Sequence, residues 1–275
     1  MSQKINQIRV RVMVAGKIKK IIWVLCCTLS ISYADDDVKL FSDADYKGSI
    51  NSLGLPHGEG RANFLHLKGS YYQGNWKDGK ADGYGEFYYV VEKYPRLNWV
   101  YKGRWVNNKR QGQGVMVWAN GDEYSGGWSN NKKHGTGVYT WSGHDPGHYA
   151  GEWADGQMHG KGELTFPGGA TLEGIFDQGK RPRKGKISHP SGALYVGELE
   201  NAYMHGYGKL VYANGDIYEG PFQYNTRHGV GNLKLAAGGS YQGEFKFNEM
   251  DGNGTFIMAD GSVYTGEFSG GELSG

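Results

Sequence analysis

Residues 101–123 read YKGRWVNNKRQGQGVMVWANGDE, and this stretch decides the fold. Tyr101, Gly103 and Trp105 alternate with Lys102 and Arg104, the period of a strand with one buried face. Asn108 follows, a residue that tolerates a left-handed backbone and so marks a turn. Gly112-Gln113-Gly114 leads into a second alternating segment, with Met116 and Trp118 on one side. Asn120-Gly121 closes the unit with a dipeptide that favours type I′ hairpin turns. The 23 residues therefore spell strand, turn, strand, turn.

The same spelling recurs along the chain. Units begin at Tyr72, Tyr101, Tyr124, Tyr149, Leu172, Tyr195, Tyr218, Tyr241 and Tyr264, and a degenerate copy begins at Tyr46. The third place is always Gly, from Gly74 to Gly266. The fifth is large and apolar: Trp76, Trp105, Trp128, Trp153, Phe176, Leu199, Phe222, Phe245 and Phe268. The eighth is Gly or Asn, with Ala202 the exception. Such a period predicts an all-β, single-layer antiparallel sheet in which hairpins pair edge to edge, without a compact core. Tyr and the aromatic four places on share a face. The Gly between them leaves room for neighbouring rings to lie across.

Composition agrees. Of 275 residues, 47 are Gly and only 7 Pro, which excludes collagen, and 14% aromatic residues speak against wholesale disorder. Residues 1–34 hold six basic residues and no acidic one. The remaining chain then carries 24 basic against 28 acidic residues, so a nucleic-acid partner is not expected.

Within residues 1–34, Lys17, Lys19 and Lys20 precede the apolar run Ile21–Ile31, followed by Ser32-Tyr33-Ala34. This is the form of a helical signal peptide cleaved near Ala34, giving a secreted or extracytoplasmic protein; an uncleaved leader would instead hold the chain at a membrane. Residues 35–71 form an N-terminal segment with the degenerate repeat, and residues 72–275 the tandem array, its last unit incomplete.

Tyr-x-Gly-x-aromatic, Asn or Gly in the turn, His-Gly-x-Gly as at His205–Gly208, an alternating strand and Asn-Gly-Asp resemble the MORN repeat family. The resemblance implies sheets built hairpin by hairpin that serve as scaffolds, dimerisation platforms or membrane-associated adaptors. Some members attach the array to a catalytic domain, and this chain would then be the targeting array of an enzyme whose catalytic part lies elsewhere.

The body itself carries no nucleotide-binding, nucleophile-elbow or zincin motif, and neither enzymatic activity nor a cofactor is expected. His134, His159, His205 and His228 recur one per unit, too far apart to share a metal, and read as turn-stabilising residues. His144, Asp145 and His148 share one insertion, Gly143–His148; another surrounds Tyr94–Leu97. Glu152, Glu198, Glu219, Glu244 and Glu267 recur by register on the face away from the rings.

Two surfaces are candidates for binding. Lys80, Lys109, Arg110, Lys132, Lys133, Lys180, Arg181, Arg183, Lys184 and Arg227 all fall near one set of turns and are expected to line one rim, fit for anionic phospholipid or an acidic partner. Tyr72, Trp76, Tyr101, Trp105, Tyr124, Trp128, Tyr149 and Trp153 form the aromatic face, which either packs on itself or, left exposed, takes a protein partner or a second copy. The C-terminal sheet edge is a further place for a homodimer or partner.

Overall fold

The computed structural model describes residues 44–274, and these form one antiparallel sheet of 21 strands. The expected leader helix lies outside the described residues. Strands pair in chain order, beginning with Ala44–Ile50 on Pro56–Phe64 and ending with Val263–Ser269 on Glu272–Leu273. The degenerate copy at Tyr46 is thus a full hairpin of the same sheet. The insertion near Tyr94 adds a short 3-10 turn, Pro95–Leu97.

Register explains the invariant glycines. Gly74 faces Gly85, Gly114 faces Gly126, Gly126 faces Gly137, and Gly243 faces Gly254. A row of Gly therefore crosses the sheet from strand to strand. A β-carbon on Gly103 or on Gly151 would come within 2.5 Å of the phenol oxygen of its own Tyr101 or Tyr149. Each Tyr ring lies flat along this row, and no other residue at these places leaves the space. The hydroxyl then reaches past the Gly and donates to a carbonyl three residues on: Tyr72 to Asn75, Tyr101 to Arg104, Tyr124 to Gly127, Tyr241 to Glu244.

The core is a stripe along this one face. Tyr72, Tyr101, Tyr124 and Tyr149 are wholly buried, and Trp76, Trp105, Trp128 and Trp153 nearly so. Tyr101 meets Trp105 and Trp128 edge to face, with ring centres 5.1 and 5.3 Å apart, and Tyr124 meets Trp128 and Trp153 in the same way at 5.2 Å. Such T-shaped pairs each add about 0.5–1.5 kcal/mol beyond area burial. Of the two roles foreseen for the aromatic face, these eight buried rings perform the packing one.

The type I′ turn is not at Asn-Gly, where it was expected, but at the other end of the hairpin. The pair at the seventh and eighth positions is the type I′ turn, with both residues left-handed: Asn130 and Asn131 at φ 48° and 70°, Asp155 and Gly156 at 51° and 85°. The Asn120-Gly121 turn is instead a three-residue loop closed by Trp118 N–H donating to Asp122 O, with Gly121 as its left-handed residue at φ 85°. The extra loop residue, Ala119, relieves Asn120 of positive φ, which is why Asn, Ser or Asp all serve there.

The type I′ turns also knit neighbouring hairpins together. Asn131 N–H donates to Arg110 O, and Asn131 Oδ1 accepts from Arg110 N–H. Asn108 with Ala81, Asn225 with Met204 and Asn248 with Arg227 repeat this reciprocal pair. Gly79, Gly156 and Gly179 keep the backbone half of it alone.

Candidate functional site

Strand alternation splits the expected basic rim in two. Lys80, Lys109, Lys132, Lys180, Arg183 and Lys184 are exposed, but Arg110 is buried and Lys133, Arg181 and Arg227 are half-buried. Residues 109 and 110 are consecutive on one strand, so their side chains leave opposite faces of the sheet. Arg110 pairs across its hairpin with Trp105, Lys133 with Trp128 and Arg227 with Phe222. These cations belong to the ring face.

There they close over the aromatic stripe. The Arg110 guanidinium lies 4.6 Å from the Trp128 ring centre and donates to Asn131 O at 2.9 Å. Arg227 covers Phe245 at 5.0 Å and donates to Asn248 O. Arg181 lies 5.5 Å from Phe166 and donates to Asn201 O. Each Arg thus ties its own hairpin to the turn of the next. The signal was present in the sequence: a residue two places past the eighth-position turn must face the fifth-position ring.

Burial under this layer holds the tyrosine hydroxyls protonated. It raises the Tyr149 phenol to about 12, assisted by the Glu152 charge, and the Tyr218 phenol to about 12. Burial raises Tyr72, Tyr101, Tyr124 and Tyr195 further still.

The opposite face carries the recurrent carboxylates. A bulge in each affected hairpin leaves a backbone N–H without a strand partner, and a Glu side chain accepts it. Glu152 takes Lys161 N–H at 3.0 Å, and Glu244 takes Asn253 N–H at 3.1 Å. Other charges pair across strands: Glu86 with Lys102, Glu173 with Lys186, and Lys184 with Glu198, at 3.2, 2.7 and 3.2 Å. Between these pairs stand exposed apolar side chains. Ile175, Val196, Tyr207 and Val230 are each more than half exposed; Val196 and Tyr207 lie on directly paired strands, and Ile175 and Val230 lie two strands away on either side. Tyr207 pairs with Pro221, and Val196 with Lys186 and Lys209.

The histidines do not converge. His159 Nδ1 lies 3.7 Å from Asp177, His205 Nδ1 lies 3.5 Å from Glu200, and His134 is exposed. His148 instead meets Thr165 Oγ1 at 3.2 Å. No cluster of three or more metal-ligating side chains occurs among the described residues.

The hairpin geometry and its sequence places agree with the family model for the MORN repeat, which matches residues 72–91, 101–123, 124–145, 149–171, 195–217 and 241–263. The chain is a MORN-repeat protein. The family model passes over the units at Leu172 and Tyr218. Both nonetheless fold as hairpins of the same sheet, Thr171–Phe176 with Lys184–Ser188 and Ile217–Gln223 with Gly229–Lys234. Among curated proteins, the array is similar to alsin of Homo sapiens and of Rattus norvegicus, each 37% identical over 92 residues, or 34% of this chain. The match spans only 5% of the length of either alsin. Among solved structures it is matched to the SAS-4 (dCPAP) TCP domain of Drosophila melanogaster, solved in complex with a proline-rich motif of Ana2. That match is 14% identical, covers 68% of this chain and 86% of that one, and has a TM-score of 0.29. The repeats and the likeness to alsin indicate a binding or scaffold role built on repeats.

Proposed function

We propose that this MORN array is a non-catalytic scaffold that docks a protein partner on the sheet face opposite its rings. The observation that supports this reading is the exposed apolar group Ile175, Val196, Tyr207 and Val230. Strands can place Lys, Glu or Thr at such outward positions at no packing cost, as Lys186, Glu173 and Thr136 do here. Val196 and Tyr207 on paired strands, with Ile175 and Val230 two strands to either side, give a partner apolar area, and the flanking Lys–Glu pairs give it a polar rim. Replacing Val196 and Tyr207 by Glu is expected to abolish capture of the protein's cellular partners by proximity labelling while leaving its circular dichroism unchanged. Undiminished labelling would overturn the reading. Export through the leader is part of the proposal, and a mature N-terminus at Asp35 is its check.

The exposed cations favour a second reading, docking on anionic phospholipid along the turn edge. Lys80, Lys109, Lys132 and Lys180 project there, although Lys132 shares its charge with Asp155 at 3.4 Å. Reversal of Lys109 and Lys132 to Glu is expected to remove salt-sensitive binding to anionic vesicles if this reading holds.

A further inference from the structure

Lys133 is the one cation of the inner row, among the described residues, whose compact ammonium lies within 6 Å of four ring centres. Its Nζ is 4.4 Å from Trp153, 4.5 Å from Tyr139, 5.6 Å from Tyr124 and 5.9 Å from Trp118. The rings come from four successive strands, Lys109–Trp118, Glu123–Ser129, Lys132–Trp141 and Gly147–Ala154. Trp153 is fixed by its indole N–H, which donates to Gly137 O at 3.1 Å, and Tyr139 by its hydroxyl, which donates to Asp122 Oδ2 at 2.8 Å. The walls are therefore set by the sheet and not by the Lys that fills them. Trp118, Tyr139 and Lys133 itself are half-exposed, so the space opens to solvent.

A box of ring faces around a cation selects methylated ammonium groups, which are large, weakly hydrated and unable to gain from water what they lose on entry. The register place of Lys133 is also exchangeable: Ala81, Met158, Met204 and Met250 occupy it in other hairpins. We propose that Trp118, Tyr124, Tyr139 and Trp153 form a receptor for a methylated lysine side chain of a partner protein, and that Lys133 is its internal, competing occupant. A lysine carrier fits best because the chain fills the box with a lysine stem, and that stem is flexible enough to swing out to water. The proposal extends the protein-contact reading but lies on the other face of the sheet, so the Val196 and Tyr207 variants leave it intact and each reading fails alone.

The test is a titration followed by the indole N–H resonances of the full chain, with tetramethylammonium as probe and then a trimethyl-lysine peptide. Lys133→Ala, which copies Ala81, is expected to bind the probe saturably and shift the Trp118 and Trp153 signals. Wild type is expected to bind about tenfold more weakly, because its own ammonium must leave first. Lys133→Met, which copies Met158, is expected to stay closed, and Trp118→Leu added to Lys133→Ala to abolish binding with the other indole signals in place. Equal binding by wild type and Lys133→Ala, or no shift at Trp118 and Trp153 in a protein that keeps its dispersed spectrum, would overturn the proposal. So would binding of Lys133→Ala to phosphatidylcholine vesicles as tight as to the trimethyl-lysine peptide, which would name a lipid headgroup as the cation's source.

Discussion

The hairpins from Tyr72 to Thr165 and those from Tyr195 to Ser269 share a backbone but lock it differently. In the first group the fifth-place ring is Trp, and its indole N–H reaches back to a Gly carbonyl of the preceding hairpin. Trp76 bonds Gly60, Trp105 bonds Gly85, Trp128 bonds Gly114 and Trp153 bonds Gly137, at 3.1–3.2 Å. In the second group Phe222, Phe245 and Phe268 keep the edge-to-face contacts with Tyr195, Tyr218 and Tyr241 but have no such donor. The Trp group therefore adds a directional bond to each ring contact.

Between the two groups the ladder changes composition. Leu172 stands where Tyr is expected and Leu199 where Trp or Phe is expected. With no phenol to lie on the glycine row, the Pro182 ring takes its place. A β-carbon on Gly174 would come within 2.6 Å of Pro182 Cβ and Cγ, and one on Gly185 within 3.1 Å of Leu199 Cδ1 and 3.3 Å of Leu172 Cδ1. Arg181-Pro182-Arg183, which interrupts the repeat in sequence, is thus the piece that fills the gap left by the missing Tyr. The comparison teaches that the slot above the glycines must be filled, and that more than one residue can do it.

The largest effect tests what the two groups share. Gly137→Val places atoms in the space of the Tyr124 ring and is expected to cost about 3 kcal/mol or more, by thermal and urea unfolding. Gly208→Val, beneath Tyr195, is expected to cost as much; a much milder effect there would break the claim that both groups use one slot.

The joint comes next. Leu172→Tyr is expected to destabilise by about 2 kcal/mol because its ring and Pro182 contend for one place. Adding Pro182→Gly is expected to recover about 1–2 kcal/mol of that loss, a coupling that independent sites would not show.

A smaller change measures the indole bond. Trp128→Phe is expected to cost about 1–2 kcal/mol from lost volume and an unpaired Gly114 carbonyl. The reverse change, Phe222→Trp, is expected to stay within about 1 kcal/mol of wild type and to yield an indole proton slow to exchange, since Gly208 holds the place of Gly114.

The smallest effect concerns the hairpin tips. The first residue of the type I′ turn is Asp, Asn, Gln or Gly in most units but Tyr224 and Phe247 in two of the second group, at φ 44° and 50° and both exposed. Tyr224→Asn and Phe247→Asn are each expected to stabilise by about 0.5–1 kcal/mol, seen as a raised unfolding midpoint. A fall instead would show that contacts such as Tyr224 with His205, ring centres 4.8 Å apart, outweigh the backbone cost.

Much of this was legible in the residues. The period, the invariant Gly and the Asn or Gly at the eighth place fix hairpins, their order and the face that buries its rings. The location of the type I′ turn was not, because Asn-Gly suits more than one turn and only the loop's hydrogen-bond closure distinguishes them. The candidate rim was half legible. Lys109 and Arg110 read as one basic pair along the chain, yet alternation sends one to water and the other onto Trp128.

By itself, then, the sequence determined a MORN array, since short-range patterns of side-chain size and backbone freedom recur within each 23-residue unit. Tertiary structure alone decided what happens between units. Which Gly faces which, where Pro182 substitutes for a phenol, and how four rings from four strands surround Lys133 depend on register between hairpins, and register is a relation among distant residues that no single unit spells.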